Sequence, residues 1–411
     1  MTEFAADLAK FAEWAASLER EIEATQIVAA APHDDRVFPL LRAADALRLG
    51  LKSYQWREMA KYLRSLDDLS PEGGRNHRVT LSQVHAYLDH RGIRPKRPDS
   101  SKSGIRVAVA NFKGGAAKST TCLHLAISLA MRGYRVLAID TDPQATLTRY
   151  LGYRPWFLNA SQSLAGTWFP QDYFMEPEDV AAAEAQGVQG LDQIVFPEPI
   201  KTHVDGLDLL PGSTGLTEID VDLITRVGGQ DTPQLINQLD ENLAVYAKDY
   251  DIVITDFQPA FSLFQSFLLK AHDALVLPVP TESADVAGTA DFLHQVSQVL
   301  MSFERVDGVH KVWDPTLVVH TKRRLKNAEV VEAMAGKVFG VHRPLVHVDD
   351  STAVSASLSA LKSVYEAISS DYDLRAIKRA RDQYDAVAAF VESALRKRWF
   401  EVSGEERYGS Q

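Results

Sequence analysis

IRVAVANFKGGAAKSTTCLHLA, residues 105–126, is the stretch on which the reading of this chain turns. Its first seven residues form an apolar, β-branched run, the profile of a strand buried on both faces of a parallel sheet. A tight loop of small residues follows. From Lys118 onward Leu123, Leu125, Ala126, Leu129 and Ala130 mark a helix. Strand, small-residue loop and helix N-terminus together suit a phosphate, because backbone N–H groups converge there and the helix dipole is positive. Lys118 would supply a point charge for the β- and γ-phosphates, and Ser119 a hydroxyl for Mg²⁺.

The run departs from the ordinary G-x-x-x-x-G-K-[ST] loop: Phe112 stands at the first glycine and Ala117 at the second. It fits K-G-G-x-[GA]-K-[ST], with an additional lysine, Lys113. The nucleotide-binding candidates are therefore Lys113, Gly114, Gly115, Ala116, Ala117, Lys118, Ser119 and Thr120. Two further apolar runs end in carboxylates. RVLAIDTDPQATLTRYLG (135–152) presents Asp140 and Asp142, and YDIVITDFQPA (250–260) presents Asp256. Ligands of open parallel sheets bind at the carboxyl ends of strands. Singly, each strand-end aspartate reads as a helix N-cap; the three motifs in this order read as one site.

Together these motifs resemble the deviant Walker A ATPases of the ParA/MinD group. GLDLLPG (206–212), DALVLPVPTE (273–282), PTLVVHTK (315–322) and LVHVDDSTAVSAS through Glu366 extend the likeness over most of the chain. The wording is most similar to the larger plasmid-partition ParAs, including the RepA proteins of repABC plasmids. The resemblance implies an α/β fold with a mostly parallel sheet flanked by helices, and slow, partner-stimulated hydrolysis of ATP with Mg²⁺. It implies that Asp142 polarises the attacking water, that Asp140 sits near the Mg²⁺ shell with Ser119, and that Asp256 occupies the Walker B position. It also implies a face-to-face homodimer in which Lys113 reaches the partner's phosphates, and a ParB-like centromere-binding partner. Two departures stand out. Gln258 replaces the first proline after Walker B, and Ala117 is expected to be tolerated only with negative φ.

A chain of 411 residues suggests two to four folding units, and its 45% apolar and 24% charged content is that of an ordinary soluble protein. The net charge of −11 excludes a blanket basic field, and the single cysteine, Cys122, excludes a disulfide framework or a four-cysteine cluster. No run of about 18 apolar residues appears, so no membrane span is expected. A cytoplasmic, nucleoid-associated protein is expected. Charge is uneven: residues 1–35 carry two basic and eight acidic side chains, whereas residues 36–104 carry 14 basic and seven acidic. The expected domains are an N-terminal amphipathic helix (1–35, apolar at Phe4, Leu8, Phe11, Ala15 and Leu18) for dimerisation or local packing, and a mainly α winged helix-turn-helix (36–93). A linker (94–104, RPKRPDSSKSG) and the ATPase domain (105–411) follow.

In the basic block, Phe38 to Leu49 and Ser53 to Leu66 read as helices, SPEGG (70–74) as a turn, and LSQVHAYLDHRG as a helix. That last helix is capped by Thr80 with Gln83 and closed by Gly92. A recognition helix in the major groove would present Lys52, Ser53, Tyr54, Gln55 and Arg57, while Arg75, Asn76 and Arg78 would meet the backbone. Each of these also reads as an ordinary solvated charge. Three later clusters are candidates for sequence-independent DNA contact: Lys322, Arg323, Arg324 and Lys326; Arg375, Lys378, Arg379 and Arg381; and Arg396, Lys397 and Arg398. Lys378 and Asp382 are spaced for an intrahelical ion pair.

Rival readings are weaker. A bacterial tyrosine kinase would carry a C-terminal tyrosine cluster, but GEERYGSQ holds only Tyr408; a nitrogenase-type reductase needs two cysteines; a MinD-like membrane cycler needs an amphipathic anchor. The alternative from a different class is a transcriptional repressor that uses nucleotide as corepressor with little hydrolysis.

Overall fold

The computed structural model describes residues 36–46, 48–66, 78–186, 188–229, 232–281, 283–324, 328–333, 337, 346–367 and 372–403. Eight strands form one sheet: β1 (Ile105–Val109), β2 (Val136–Asp140), β3 (Ile200–Lys201), β4 (Leu207–Leu210), β5 (Ile252–Asp256), β6 (Ala274–Pro280), β7 (Thr316–Arg323) and β8 (His347–Asp349). The spatial order is β3-β4-β2-β5-β1-β6-β7-β8, and every pairing is parallel except that of β3 with β4. The expected α/β fold with a mostly parallel sheet is what the chain adopts.

In chain order the helices are α1 (Ser53–Ser65), α2 (Leu81–His90), α3 (Lys118–Met131), α4 (Thr146–Tyr150), α5 (Pro177–Ala185), α6 (Leu216–Arg226), α7 (Thr232–Ala247), α8 (Leu263–Lys270), α9 (Ser283–Asp307), α10 (Thr352–Ser359) and α11 (Leu374–Ser403). They cover both faces of the sheet, which is why its central strands are buried on every residue and mostly apolar rather than alternating. Along β1, Val107 and Val109 face one core with α3 and α11. Ala108 and the following Ala110 face the other, with α6 to α9.

Residues 36–93 join the first core: Leu49, Trp56, Met59, Leu63, Tyr87 and Leu88 pack into the same cluster as Leu123, Leu129, Tyr384 and Val391. The Thr80–Gln83 capping box forms, with Gln83 N–H donating to Thr80 Oγ1 at 3.2 Å, and Gly92 takes φ +63° after the helix. A helix over Phe38–Leu49 does not form. Leu41 is instead drawn into a two-way backbone bridge with Val79, leaving only a 3₁₀ turn at Ala43–Asp45. A bridged, extended residue cannot also supply helical hydrogen bonds. The N-terminal helix expected within 1–35, the SPEGG turn, Arg75, Asn76 and Lys326 lie outside the described residues.

The segment 94–104 has neither helix nor strand, yet it packs against the α/β domain that follows it. Arg97 donates to the carbonyls of Ala247, Lys248 and Tyr250, and Arg94 to Gly133 O at 2.7 Å. Residues 153–205 are anchored by Leu164, Ala165, Trp168 and Phe169 in the second core, with Trp168 Nε1 donating to Asp222 at 2.8 Å.

Candidate nucleotide site

Parallel register builds this site. Val109 pairs with Asp256, and Asp140 pairs with Asp256, so β1, β5 and β2 end side by side. The loop that leaves β1 therefore passes directly over two strand-end carboxylates. Asn111, fully buried, pins the start of the loop: its Nδ2 donates to Pro278 O (2.8 Å) and Thr289 Oγ1 (3.0 Å), and its Oδ1 accepts from Lys113 N (3.1 Å). Thr321 pins the other side, donating to Ala116 O at 3.1 Å. Phe112, which stands where an ordinary P-loop has glycine, packs edge-on against Phe261 and Phe292.

Ala117 is the N-cap of α3 with φ +65° and ψ +31°. The expectation of a negative φ is therefore corrected. The loop must turn sharply into the helix, and it does so through the left-handed region at a cost of about 1–2 kcal/mol for a residue with a Cβ. Gly115, at φ +76°, makes the companion turn without that cost. The first turn of α3 leaves its N–H groups without intrahelical acceptors, as a phosphate requires.

Lys118 folds back over the loop and donates to Lys113 O at 3.1 Å. Burial lowers its pKa to about 8, against the opposing pull of Asp256 and Asp142. Asp256 is fully buried, and neither of its oxygens has a hydrogen-bond partner of ordinary geometry among the described residues. Burial pushes its carboxyl well above the usual range, and the nearby Asp140 adds to the rise; the Ser119 hydroxyl and Lys118 oppose it. Asp140 differs. Its oxygens accept from Asp142 N (3.1 Å) and from the N and Oγ1 of Thr148 (both 2.8 Å), and burial raises its pKa to about 6. Asp142, partly exposed, closes a local turn by accepting from Gln144 N at 2.9 Å.

A divalent cation fits this arrangement. Asp256 offers a desolvated, open carboxylate across from Ser119, whereas the Asp140 carboxylate is already committed to holding the 140–148 turn. Among the described residues no cluster of three or more His, Cys, Asp or Glu could hold a metal by itself. Mg²⁺ characteristically takes only one or two protein oxygens and completes its shell with phosphates and water.

Three residues here carried no signal that set them apart in the sequence: Asn111, Thr321 and Gly212. A Cβ on Gly212 would stand 2.7 Å from Asp142 O and 2.9 Å from Asp140 Cγ, so this position admits only glycine beside the 140–148 turn. All three act through partners distant in the chain.

The DNA candidates divide. Lys52, Ser53, Tyr54 and Arg57 are exposed at the start of α1, and so is Arg78, but Gln55 Oε1 is used to accept from Lys52 N at 2.7 Å. Arg323, Arg324, Arg375 and Arg379, from two separate stretches, converge on one cleft of ≈ 570 Å³. Most are paired: Arg323 with Glu332 (2.7 Å), Arg324 with Asp350 (2.8 Å), Arg379 with Asp349 and Lys378 with Asp382 (3.0 Å). Arg381 turns inward and caps the carbonyls of Val364 and Ala367, so it is structural. Arg396, Lys397 and Arg398 pair with Glu392, Glu401 and Asp314. Lys322 points elsewhere: its Nζ lies 3.7 Å from where a Cβ on Gly115 would stand.

An AAA domain family matches residues 105–306. A Rhizobium rhizogenes protein that carries the name replication protein A is 26% identical, the match covering 93% of each chain. A Thermus thermophilus protein named as a plasmid-partitioning ParA is 28% identical over 54% of this chain and 60% of its own. A solved structure described as a partition protein shares the fold with a TM-score of 0.59 at 19% identity, covering 98% of this chain and 99% of that one.

Proposed function

We propose that this chain is a ParA-like P-loop ATPase, a DNA partition ATPase that dimerises on ATP, binds DNA and is reset by slow hydrolysis. The observation that carries the reading is the loop 113–120 held over Asp256, with Lys118 buried between them. Phosphoryl transfer asks for positioning and charge neutralisation more than covalent chemistry. Lys118 and the N–H groups of α3 would hold the phosphates, and Ser119 and Asp256 would hold Mg²⁺, which supplies charge neutralisation when bound. Asp142 would aim the water. One subunit lacks an arginine-finger equivalent, and Lys113 of a second copy would provide that charge. Release of the phosphate would free the 140–148 turn that Asp140 and Thr148 hold together.

DNA would be met at two places. The exposed start of α1 (Lys52, Ser53, Tyr54, Arg57) with Arg78 would serve an operator and autorepression. The arginine cleft (Arg323, Arg324, Arg375, Arg379) with Lys378 would serve sequence-independent binding. The partners would be a second copy, DNA and a ParB-like protein, in the cytoplasm at the nucleoid.

The test is binding to a random DNA duplex with ATP, with ADP and without nucleotide at fixed salt, with light scattering to report dimers. ATP alone should switch on binding, and Lys118→Ala and Lys113→Ala should each abolish it. Binding that ignores the nucleotide refutes the switch. Operator binding that persists in Asp142→Ala, together with full function, would favour the repressor with nucleotide as corepressor.

A further inference from the structure

Three basic residues follow one another at the end of β7, and they do not share a direction. Arg323 and Arg324 turn outward into ion pairs with Glu332 and Asp350. Lys322, between them and the buried Thr321, has φ +49°, a left-handed backbone that a residue with a long side chain adopts only under constraint. The constraint is visible. Thr321 is fixed to the phosphate loop through Ala116 O, and the carbonyl of Lys322 accepts from Thr281 Oγ1 at 3.4 Å at the end of β6. Arg324 N donates to the same Thr281 hydroxyl at 3.3 Å. The strand is thus kinked at one residue, and the kink sends the Lys322 ammonium back over Gly115.

We infer that Lys322 is a nucleotide-binding residue, a third lysine at the phosphate loop beside Lys113 and Lys118, rather than part of a DNA-binding cluster. Among the described residues no carboxylate forms an ion pair with Lys322. The side chain stands over Gly115, a loop glycine whose own lack of a Cβ leaves space for an anion beneath the ammonium. Lys322 also lines a small cavity of ≈ 80 Å³ that runs along the start of α3 between Ala117, Thr120 and Tyr384, with Asp349 and Asp350, the ion-pair partners of Arg379 and Arg324, at its other side. The left-handed residue breaks the alternation of the strand at Lys322, and its ammonium stands over Gly115 while Arg323 and Arg324 pair with Glu332 and Asp350. The ligand class is a nucleoside polyphosphate, whose negative charge Lys322 would meet over Gly115.

This inference rests on the reading of 113–120 as the nucleotide loop, and the experiment separates the two. ATP and ADP affinity would be measured by fluorescent-nucleotide anisotropy on the full chain for wild type, Lys322→Gln, Lys322→Arg, Arg375→Gln and Lys118→Ala. Random-duplex binding at saturating ATP would be measured in parallel. Lys322→Gln should weaken ATP about tenfold, a loss expected of one charge-assisted contact, and Lys322→Arg should recover most of it. DNA affinity at saturating nucleotide should stay at the wild-type value for Lys322→Gln and fall for Arg375→Gln. Unchanged ATP affinity in Lys322→Gln with weakened DNA binding would overturn the inference and return Lys322 to the DNA cluster. Equal loss in the Gln and Arg variants would also overturn it, assigning the effect to the strained backbone rather than the charge. If Lys118→Ala binds ATP normally, the underlying reading fails, whatever Lys322 does.

Discussion

Glu366→Gln should loosen the tie between Arg36, at the start of the described residues, and the 361–366 segment, and make the protein less stable by an amount that depends on pH. Glu366 is buried where three segments meet. Arg36 pairs with it at 2.7 Å, His203 Nε2 lies 2.8 Å from it, and it accepts from both the N–H (2.9 Å) and hydroxyl (2.7 Å) of Ser363. Burial alone would raise its pKa, but His203, Arg36 and Ser363 together lower it from 4.5 to about 2. A carboxylate held below its unfolded value stabilises the fold above the unfolded pKa. That contribution is lost as pH falls from about 4.5 through about 2. The lowering from 4.5 to about 2 corresponds to about 3 kcal/mol near neutrality, of which about 1 kcal/mol is gone near pH 3.5. Urea unfolding of wild type and Glu366→Gln near pH 7 and near pH 3.5 measures both numbers. Amide exchange at Ser363, whose N–H the carboxylate accepts, gives a local readout. The variant should be less stable near pH 7 by about 3 kcal/mol and should lose less than wild type on acidification. Parallel loss in the two proteins, or equal Ser363 protection, would refute the reasoning.

Ala117→Gly should raise stability by about 0.5–1 kcal/mol, since relief of the left-handed alanine exceeds the added freedom of the unfolded chain; a lower thermal midpoint would contradict this. Asp256→Asn should stabilise the nucleotide-free protein by about 1–3 kcal/mol, because it removes a fully buried carboxylate whose desolvation Ser119 and Lys118 only partly offset. The same change should abolish the Mg²⁺ dependence of ATP binding, so a thermal shift assay with and without Mg²⁺–ATP should show the two effects with opposite sign. Arg48 is mostly buried and pairs with Asp45 (2.9 Å), Asp382 (2.9 Å) and Asp385 (2.7 Å). Arg48→Ala should cost about 3 kcal/mol, chiefly by leaving the mostly buried Asp385 of α11 without its cation, whereas Asp382 keeps Lys378. Limited proteolysis should then cut first between residues 36 and 66, and cutting elsewhere first would count against the docking role.

The phosphate loop and its strand-end carboxylates were legible in the linear chain because each is local. A buried parallel strand must be apolar, a loop that cradles a phosphate must be small, and a carboxylate that ends a strand is read a few residues from its own apolar run. The Thr80 cap, the helix after it and the Lys378–Asp382 pair are local for the same reason, and they form as expected. Phe38–Leu49 read as a helix because its apolar spacing allows one, but the bridge from Leu41 to Val79 spans 38 residues and outweighs that spacing.

What the tertiary structure alone decided is which residues support the 113–120 loop and the 140–148 turn, and where each neighbouring charge is directed. Asn111 acquires its role from Pro278 and Thr289, Thr321 from Ala116, and Gly212 from the Asp142 turn, all more than 60 residues away in the chain. A run of basic residues is one feature when read along the chain. In space, a single left-handed residue turns Lys322 toward the phosphate loop, while Arg323 and Arg324 join Arg375 and Arg379 at a cleft built from two distant stretches. Charge composition is a property of the chain, but the direction of each charge is set by backbone angles and partners that exist only once β7, β8 and α11 have packed.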